Sequence, residues 1–348
     1  MFKELCINNK PCELMKATKN PKYGNRTILT ESSWEYVALY LKRQSTSGSG
    51  DALFYWEQAH SFYLASLSLP DSARPLTSYY CILNASKALL RFKGIDNQKL
   101  NNHGISTVRA NDDTTNLKEA NTAVKGSGVL TELGKYFNCQ LKPGHYSILD
   151  LLYNIPCVHR AYCITFSKPE IFIPISHPVI VKKEGSKESW LKFGIDGRYA
   201  NAKSLKSVSH KFEHDIGVTT DYVMRMKKRF NWDIHEPIDR RKEKLEKYHE
   251  KVRHYVHYIY GESRLWYIKK DVAGNEELAE VTSAVFIFSV FHWLSELVRY
   301  NPKLFQKYMK SKQNWLIHEF INNALNQFVD ELSCEITGED IMCTGYRK

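Results

Sequence analysis

His292, Glu296 and Arg299 fall at i, i+4 and i+7, a spacing that lines three chemically active side chains along one face of a helix. The apolar neighbours Phe288, Phe291, Leu294, Leu297 and Val298 would shelter that line. A histidine that titrates near neutral pH beside a fixed guanidinium can move a proton and steady a phosphate. A structural role fits the same spacing, with Glu296 bridging Arg299 or His292 and pinning the helix. A second set lies upstream, where Asn84 and Lys87 interrupt an apolar run and His103-Gly104 follows a turn. Facing each other across a cleft, these residues would contact a phosphate or a base; alternatively His103-Gly104 is a tight corner whose histidine caps a helix end. In a third set, Lys227, Lys228, Arg229, Arg240, Arg241, Lys242 and Lys244 accompany Tyr222, Phe230 and Trp232. Positive charge beside aromatic faces suits a single-stranded nucleic acid, and a solvated charged face is the plainer reading.

A helix must position the upstream set. Leu76, Tyr79, Tyr80, Leu83, Ala85, Ala88 and Leu89 recur at three- and four-residue steps and predict a core helix from Pro75 to Phe92. Proline suits its first turn, and Gly94 after Lys93 supplies its stop. One helix is expected from Glu31, capped by Thr30 and carrying Trp34, Val37, Ala38 and Leu41. Another is expected from Asp51, with Leu53, Trp56, Ala59, His60, Tyr63 and Leu67, closed by Pro70. Ser45 to Gly50 reads as a flexible surface connection and His60 as a hydrogen-bonded core histidine. Short connections make these three helices an antiparallel unit. Ser106 to Lys142 is polar, with turn signals at Asn111 to Thr115 and Lys125 to Gly128, and predicts a long loop able to cover a cleft beside His103. A short helix from Ser147 to Tyr153 follows, ended by Pro156.

Beyond it the period changes to two. Ala161 to Phe166, Glu170 to Lys182 and Ser189 to Ile195 are rich in aromatic and β-branched residues and predict strands. Pro174 and Pro178 place the middle one at a sheet edge or break it in two. Arg240 to Glu250 predicts a charged, solvated connector helix. Val252 to Tyr260 and Arg264 to Lys270 predict a hairpin turning at Gly261 to Ser263 and joining the sheet, with a helical first arm as the other reading. Asn275 would cap a helix running from Glu276 to Tyr300, and Leu304 to Lys310 and Trp315 to Leu332 predict two more. The expected fold is α+β and mostly helical. It has an arm over 1–30, a helical unit over 31–155, a β-rich middle with the charged helix over 156–272, and a helical unit over 273–348 packing on the first.

Lys and Arg outnumber Asp and Glu by 49 to 38, a net charge of +11 that favours polyanionic partners through long-range attraction. The eight cysteines include no CxxC pair, so no zinc ribbon or redox motif is indicated, and no HExxH or other metal-ligand spacing occurs. A phosphate-binding GxxxxGK[ST] loop is also missing from the sequence, which argues against ATPase chemistry. No cofactor is expected. The start Phe2-Lys3-Glu4-Leu5-Cys6 lacks a signal-peptide core, and no apolar run reaches membrane-spanning length. A cytoplasmic protein that does not engage a membrane is expected, with RNA or a nucleotide as partner and with room for a protein partner subunit or a homo-oligomer.

Tyr79-Tyr80, Ala88-Leu89-Leu90, the Lys93-Gly94 break and His103-Gly104 resemble the core helix pair of HEPN domains, a helical family of nucleotide-binding and RNA-cutting modules. Pro75-Leu76, Tyr79-Tyr80, Leu83-Asn84 and Lys87, followed by His103-Gly104, resemble the YaaC-like family, and the stretch from Leu294 to Pro302 is similar to that family's C-terminal signature. The resemblance implies a split HEPN-like helical bundle with a middle antiparallel β-rich insertion. HEPN nucleases bring an arginine and a nearby histidine to one scissile phosphate, and Arg229 with His235 has that spacing here, although Glu236-Pro237 is poor context for a helix. The expected function is RNA or nucleotide binding, extended to a metal-independent endoribonuclease with histidine from His103, His292 or His235 and arginine from Arg299 or Arg229. HEPN relatives also imply a setting in toxin or antiphage systems. The alternative is a noncatalytic subunit that docks a partner.

Overall fold

No Asp, Glu, Lys or Arg interrupts the chain from Val281 to Ser295. A helix without a polar face has to be enclosed, and in the computed structural model every residue from Ser283 to Ser295 is buried in one helix. The structure describes residues 2–108, 115–195, 197–200, 208, 210–215, 222–261, 265–270 and 276–343.

In chain order, strands β1 (Phe2–Glu4), β2 (Cys6–Ile7), β3 (Lys10–Pro11) and β4 (Ile28–Thr30) precede helices α1 (Ser33–Lys42), α2 (Ser49–Leu67) and α3 (Arg74–Phe92). Next come β5 (Ile105–Val108), β6 (Asn121–Val124), α4 (Val129–Tyr136), β7 (Gly144–Ser147), α5 (Ile148–Tyr153) and α6 (His159–Phe166). Strands β8 (Phe172–Lys183), β9 (Glu188–Ile195), β10 (Phe212–His214), β11 (Val223–Met226) and β12 (Phe230–Asn231) lead to α7 (Ile238–Arg253). The hairpin β13 (Val256–Ile259) and β14 (Leu265–Lys269) is followed by α8 (Glu276–Ala279), α9 (Ser283–Tyr300), α10 (Pro302–Met309), α11 (Asn314–Thr337) and β15 (Ile341–Cys343). The protein is α+β, and its chain divides into two compact units.

The helical unit comprises residues 30–170, 281–337 and 343–348. Its α3 packs against α2, α9 and α11. As expected, α3 has proline in its first turn and stops at Lys93, followed by Gly94 with φ +83°. Of its two buried serines, Ser86 donates its hydroxyl to the Ile82 carbonyl, whereas the Ser78 hydroxyl is buried without a hydrogen-bond partner. The first helix starts later than expected, because the Ser32 hydroxyl accepts from the Glu35 N–H and caps it, while the Thr30 hydroxyl donates to the Ser32 carbonyl. The connection before α2 lies at the surface as expected, with Ser45, Thr46 and Ser47 exposed, but it is anchored at its end. Gly48 is buried with its Cα facing Arg91, whose carbonyl oxygen would lie 2.1 Å from an added Cβ, and the Ser49 hydroxyl bonds the Gln44 and Thr46 carbonyls. His60 is held by stacking flat on Trp34, with centroids 4.9 Å apart.

Three expectations for this unit are corrected. The polar stretch after Ser106 is not one loop: β5, β6 and β7 form an antiparallel sheet, and α4 fills the turn between the second and third strands. Ala161 to Phe166 is helical, because a helical turn stacks Tyr162 on Tyr153 at 4.8 Å and sets Cys163 Sγ 3.2 Å from His159 Nε2, which outweighs β propensity. The long C-terminal helix is two helices, since Thr282 adopts extended backbone and α9 begins anew at Ser283, whose hydroxyl donates to Glu331.

The sheet unit comprises residues 1–29, 171–280 and 338–342. Its antiparallel sheet runs β10-β11-β9-β8-β14-β13, with β1 added to β8 and β12 to β9. The prolines of β8 do not put it at an edge. Pro174 sits opposite Tyr267, and Pro178 falls within a register shift between Ser176 and Val179, where His177 has φ +48°. Nor is the charged helix a solvated connector. Leu245, Tyr248 and Val252 enter the core of the sheet unit, and the Tyr248 hydroxyl accepts the Leu191 N–H at 2.8 Å. That helix continues to Arg253, so the first hairpin arm begins only at Val256. Distant segments are tied together here. The Lys16 N–H donates to Asp340 at 2.8 Å, its ammonium to the Ile341 carbonyl at 2.7 Å, and His249 bonds both the Tyr23 hydroxyl and the Ala17 carbonyl.

No described helix is long and apolar enough to cross a membrane. The expected turn at 111–114, the hairpin tip at 262–264 and the Asn275 cap lie outside the described residues.

Candidate functional site

Within the helical unit, α3 and α9 lie side by side, and each sends an aromatic group to the same place. Tyr79 of α3 meets Phe288 and His292 of α9 edge to face, at centroid distances of 5.7 and 5.2 Å. The Tyr79 hydroxyl lies 2.8 Å from His103 Nδ1, and the rings of His103 and His292 are 6.1 Å apart. Thr107, on the strand that follows His103, brings its hydroxyl within 3.5 Å of His292 Nδ1. The two histidines singled out from opposite ends of the sequence are thereby brought together.

The first N–H groups of a helix have no partner inside it. In α4 the Val129 N–H donates to the Asn102 carbonyl at 2.8 Å and the Leu130 N–H to the His103 carbonyl at 3.0 Å. Lys125 N–H adds a bond to the Gly104 carbonyl at 2.9 Å. It is therefore the backbone of His103, and not its imidazole, that caps a helix. Two glycines permit this closeness: Gly104 has φ +80°, Gly128 has φ +120°, and a Cβ on Gly128 would fall 2.3 Å from the Gly104 nitrogen. The corner that carries His103 is fixed on three sides.

His292 is buried, and burial with the nearby charges of His103 and Lys125 drives its pKa down to about 3. His103 is half-buried; burial lowers its pKa, and the charges of Lys87 and Lys125 lower it further. Burial raises the Tyr79 pKa, aided by Glu296 and Tyr80, and also raises that of Glu296 against the pull of Arg299. Near neutral pH both histidines are therefore neutral and Tyr79 keeps its proton. His103 is the better exposed of the pair and the one whose pKa the charges of both lysines lower. Such a group can exchange a proton with a ligand whose negative charge the lysines attract. Among the described residues, no group of three or more His, Cys, Asp or Glu could hold a metal ion.

The remaining candidates are placed differently. Arg299 is exposed, its guanidinium lies 4.8 Å from the Tyr300 ring centroid, and the cations acting on the histidine pair are Lys87 and Lys125. Asn84 donates to the Tyr80 carbonyl of its own helix at 2.8 Å. Arg229, His235, Lys227, Lys228, Trp232, Arg240 and Arg241 belong to the sheet unit. Arg229 binds both oxygens of Glu188, at 3.0 and 3.1 Å, whereas the His235 N–H donates to Asp233, so different carboxylates hold that pair. Trp232 is buried beneath the Arg241 guanidinium and offers no open ring to a base, while Lys227, Lys228 and Arg240 are exposed. Sequence reasoning missed Lys125 and Thr107. The only sign of Lys125 was its place before Gly126-Ser127-Gly128 and an apolar helix start, a pattern that reads equally well as a loop. Compared with known families, residues 18–336 match the one described as YaaC-like Protein. No curated protein and no solved structure matches the chain.

Proposed function

The chain belongs to the YaaC-like protein family, and on that premise we propose that its helical unit is a HEPN-like RNA- or nucleotide-binding module centred on His103. The observation that carries this reading is the meeting of half-buried His103 with Tyr79 and His292, at a place where the charges of Lys87 and Lys125 lower the His103 pKa and neither lysine is paired with a carboxylate among the described residues. A phosphodiester placed there offsets both charges and gains from both. The activity proposed is metal-independent RNA cleavage. His103 removes the proton of a ribose 2′-hydroxyl, the freed oxygen bonds to the adjacent phosphorus, and the bond from phosphorus to the 5′-oxygen breaks. The departing oxygen takes a proton from solvent, leaving a 2′,3′-cyclic phosphate and a 5′-hydroxyl. Lys87 and Lys125 stabilise the negative charge that builds on the phosphoryl oxygens. His292, buried and neutral, is a positioning residue that backs Tyr79, and Tyr79 in turn orients His103. The HEPN resemblance of the sequence would set this activity in a toxin or antiphage system, an analogy that rests on that resemblance alone.

A second reading, a noncatalytic subunit that docks a partner, is favoured by one observation: Tyr79 and His292 are buried against each other, as packing residues are. Labelled total RNA incubated with the purified protein in EDTA separates the two. Cleavage that persists in EDTA, ends in cyclic phosphate, disappears in His103→Ala and weakens in Lys87→Gln supports the nuclease. Intact RNA, together with no salt-sensitive RNA retention by the wild type, rejects it in favour of the docking subunit.

A further inference from the structure

Lys87 is half-buried, its pKa lowered by that burial, and its ammonium rests 5.4 Å from the centroid of the Tyr55 ring with no carboxylate beside it among the described residues. A cation taken partly out of water without an anion is an expense that a ligand can offset. Tyr55 also meets Phe54 edge to face at 5.6 Å. Phe54 is 58% exposed and shares its outward face of α2 with Glu57, Gln58 and Ser61, while Ala52, Trp56 and Ala59 bury the other side. Its ring is therefore not part of the packing stripe.

We propose that Phe54 and Tyr55 form a base-stacking platform which, with Lys87 holding the phosphate, seats single-stranded RNA on the helical unit. The proposal rests on the RNA reading above and adds the class of substrate. Every base has a face that stacks on an aromatic ring, and lysines beside such rings follow the backbone, which is how unpaired strands are held without sequence preference. A duplex hides those faces within its own stack, so the platform selects single strands. Lys87 joins the two parts, since it touches the Tyr55 ring and its charge acts on His103. Tyr55 meets both the Phe54 ring and the Lys87 ammonium, so a base on the outer ring and its phosphate at the ammonium fit one short stretch of strand.

The test is fluorescence anisotropy of the full chain with a labelled 2′-O-methyl RNA of mixed sequence, which lacks the nucleophilic hydroxyl and stays intact. Phe54→Ala is expected to bind this strand roughly tenfold more weakly, and Phe54→Trp to restore binding, as loss and return of one stacked base require. Lys87→Gln is expected to reduce the slope of log affinity against log salt by about 0.7, one phosphate contact on a single strand. Binding of the matching duplex should not change with Phe54→Ala. Wild-type affinity for the single strand in Phe54→Ala overturns the platform while leaving RNA binding intact, and assigns the exposed ring to a protein partner. A wild type that binds no RNA overturns the platform and the proposed function together.

Discussion

Replacing His292 with phenylalanine should make the helical unit less sensitive to acid. In the folded chain the imidazole sits against Tyr79, His103 and Thr107 and gains a proton only near pH 3, whereas in the unfolded chain it does so near its ordinary value of 6.5. The folded pKa is the lower one, so the unfolded state binds the proton first. The penalty is absent above pH 6.5, grows as pH falls towards 3, and is constant below that. Between pH 7.5 and 4.5 it amounts to about 3 kcal/mol, two pH units of travel at about 1.4 kcal/mol each. Phenylalanine fills the same space and gives up only the 3.5 Å contact to Thr107, so at pH 7.5 the variant should lie within about 1 kcal/mol of the wild type. At pH 4.5 it should be the more stable by about 2 kcal/mol or more. Urea unfolding at both pH values, followed by far-ultraviolet circular dichroism, measures the difference of differences, in which the titrating groups common to both proteins cancel. Parallel pH dependence of the two proteins would refute the reasoning, because it would mean that His292 is protonated in the fold and open to water.

Gly128→Ala places a Cβ 2.3 Å from the Gly104 nitrogen at a φ of +120°, and should cost about 3 kcal/mol in thermal unfolding and displace His103. Gly126→Ala, whose Cβ would meet nothing closer than Pro143 at 3.9 Å, should be close to neutral in the same assay. In the sheet unit, Lys269 is buried with its amine donating to the carbonyls of Leu278 and Ala279, and burial lowers its pKa to about 7. Its unfolded state holds the proton up to about pH 10.5, so stability should rise between those values, by about 3 kcal/mol from pH 7 to 9.5, and Lys269→Met should flatten that rise in chemical denaturation.

Elements with a long, unambiguous period were legible in the sequence. The apolar steps of Pro75 to Phe92 and the alternation of Ser189 to Ile195 fix α3 and β9, and the Pro and Gly signals mark the ends of α3. The stretch of six residues from Ala161 to Phe166 is too short for period to separate helix from strand, and the stacking of Tyr153 on Tyr162 that decides it is tertiary. Strands of four residues such as β5 and β6 leave too little alternation to stand out from a polar loop. Within the site, His103 and His292 were visible as candidates, but their meeting depends on how α3 packs on α9, contacts made across about two hundred residues of sequence. The alignment of His292, Glu296 and Arg299 was correct along the helix and misleading about surroundings. The helix emerges from the core along that line, so His292 is buried, Glu296 half-buried and Arg299 exposed.

The bonds from Lys16 to Asp340 and Ile341 also set a timetable for biosynthesis. Their two ends are 324 residues apart in sequence, and translation at its usual pace needs on the order of tens of seconds to cover such a distance. For about half of that interval β1 waits for β8, and Lys16 waits the whole of it for residues made after α9. The helical unit waits too, since α3 emerges long before the α9 and α11 surfaces that cover it. Neither half can finish folding while the other is still being made, and apolar strands and helix faces stay open to chaperones or to a neighbouring nascent chain for most of synthesis.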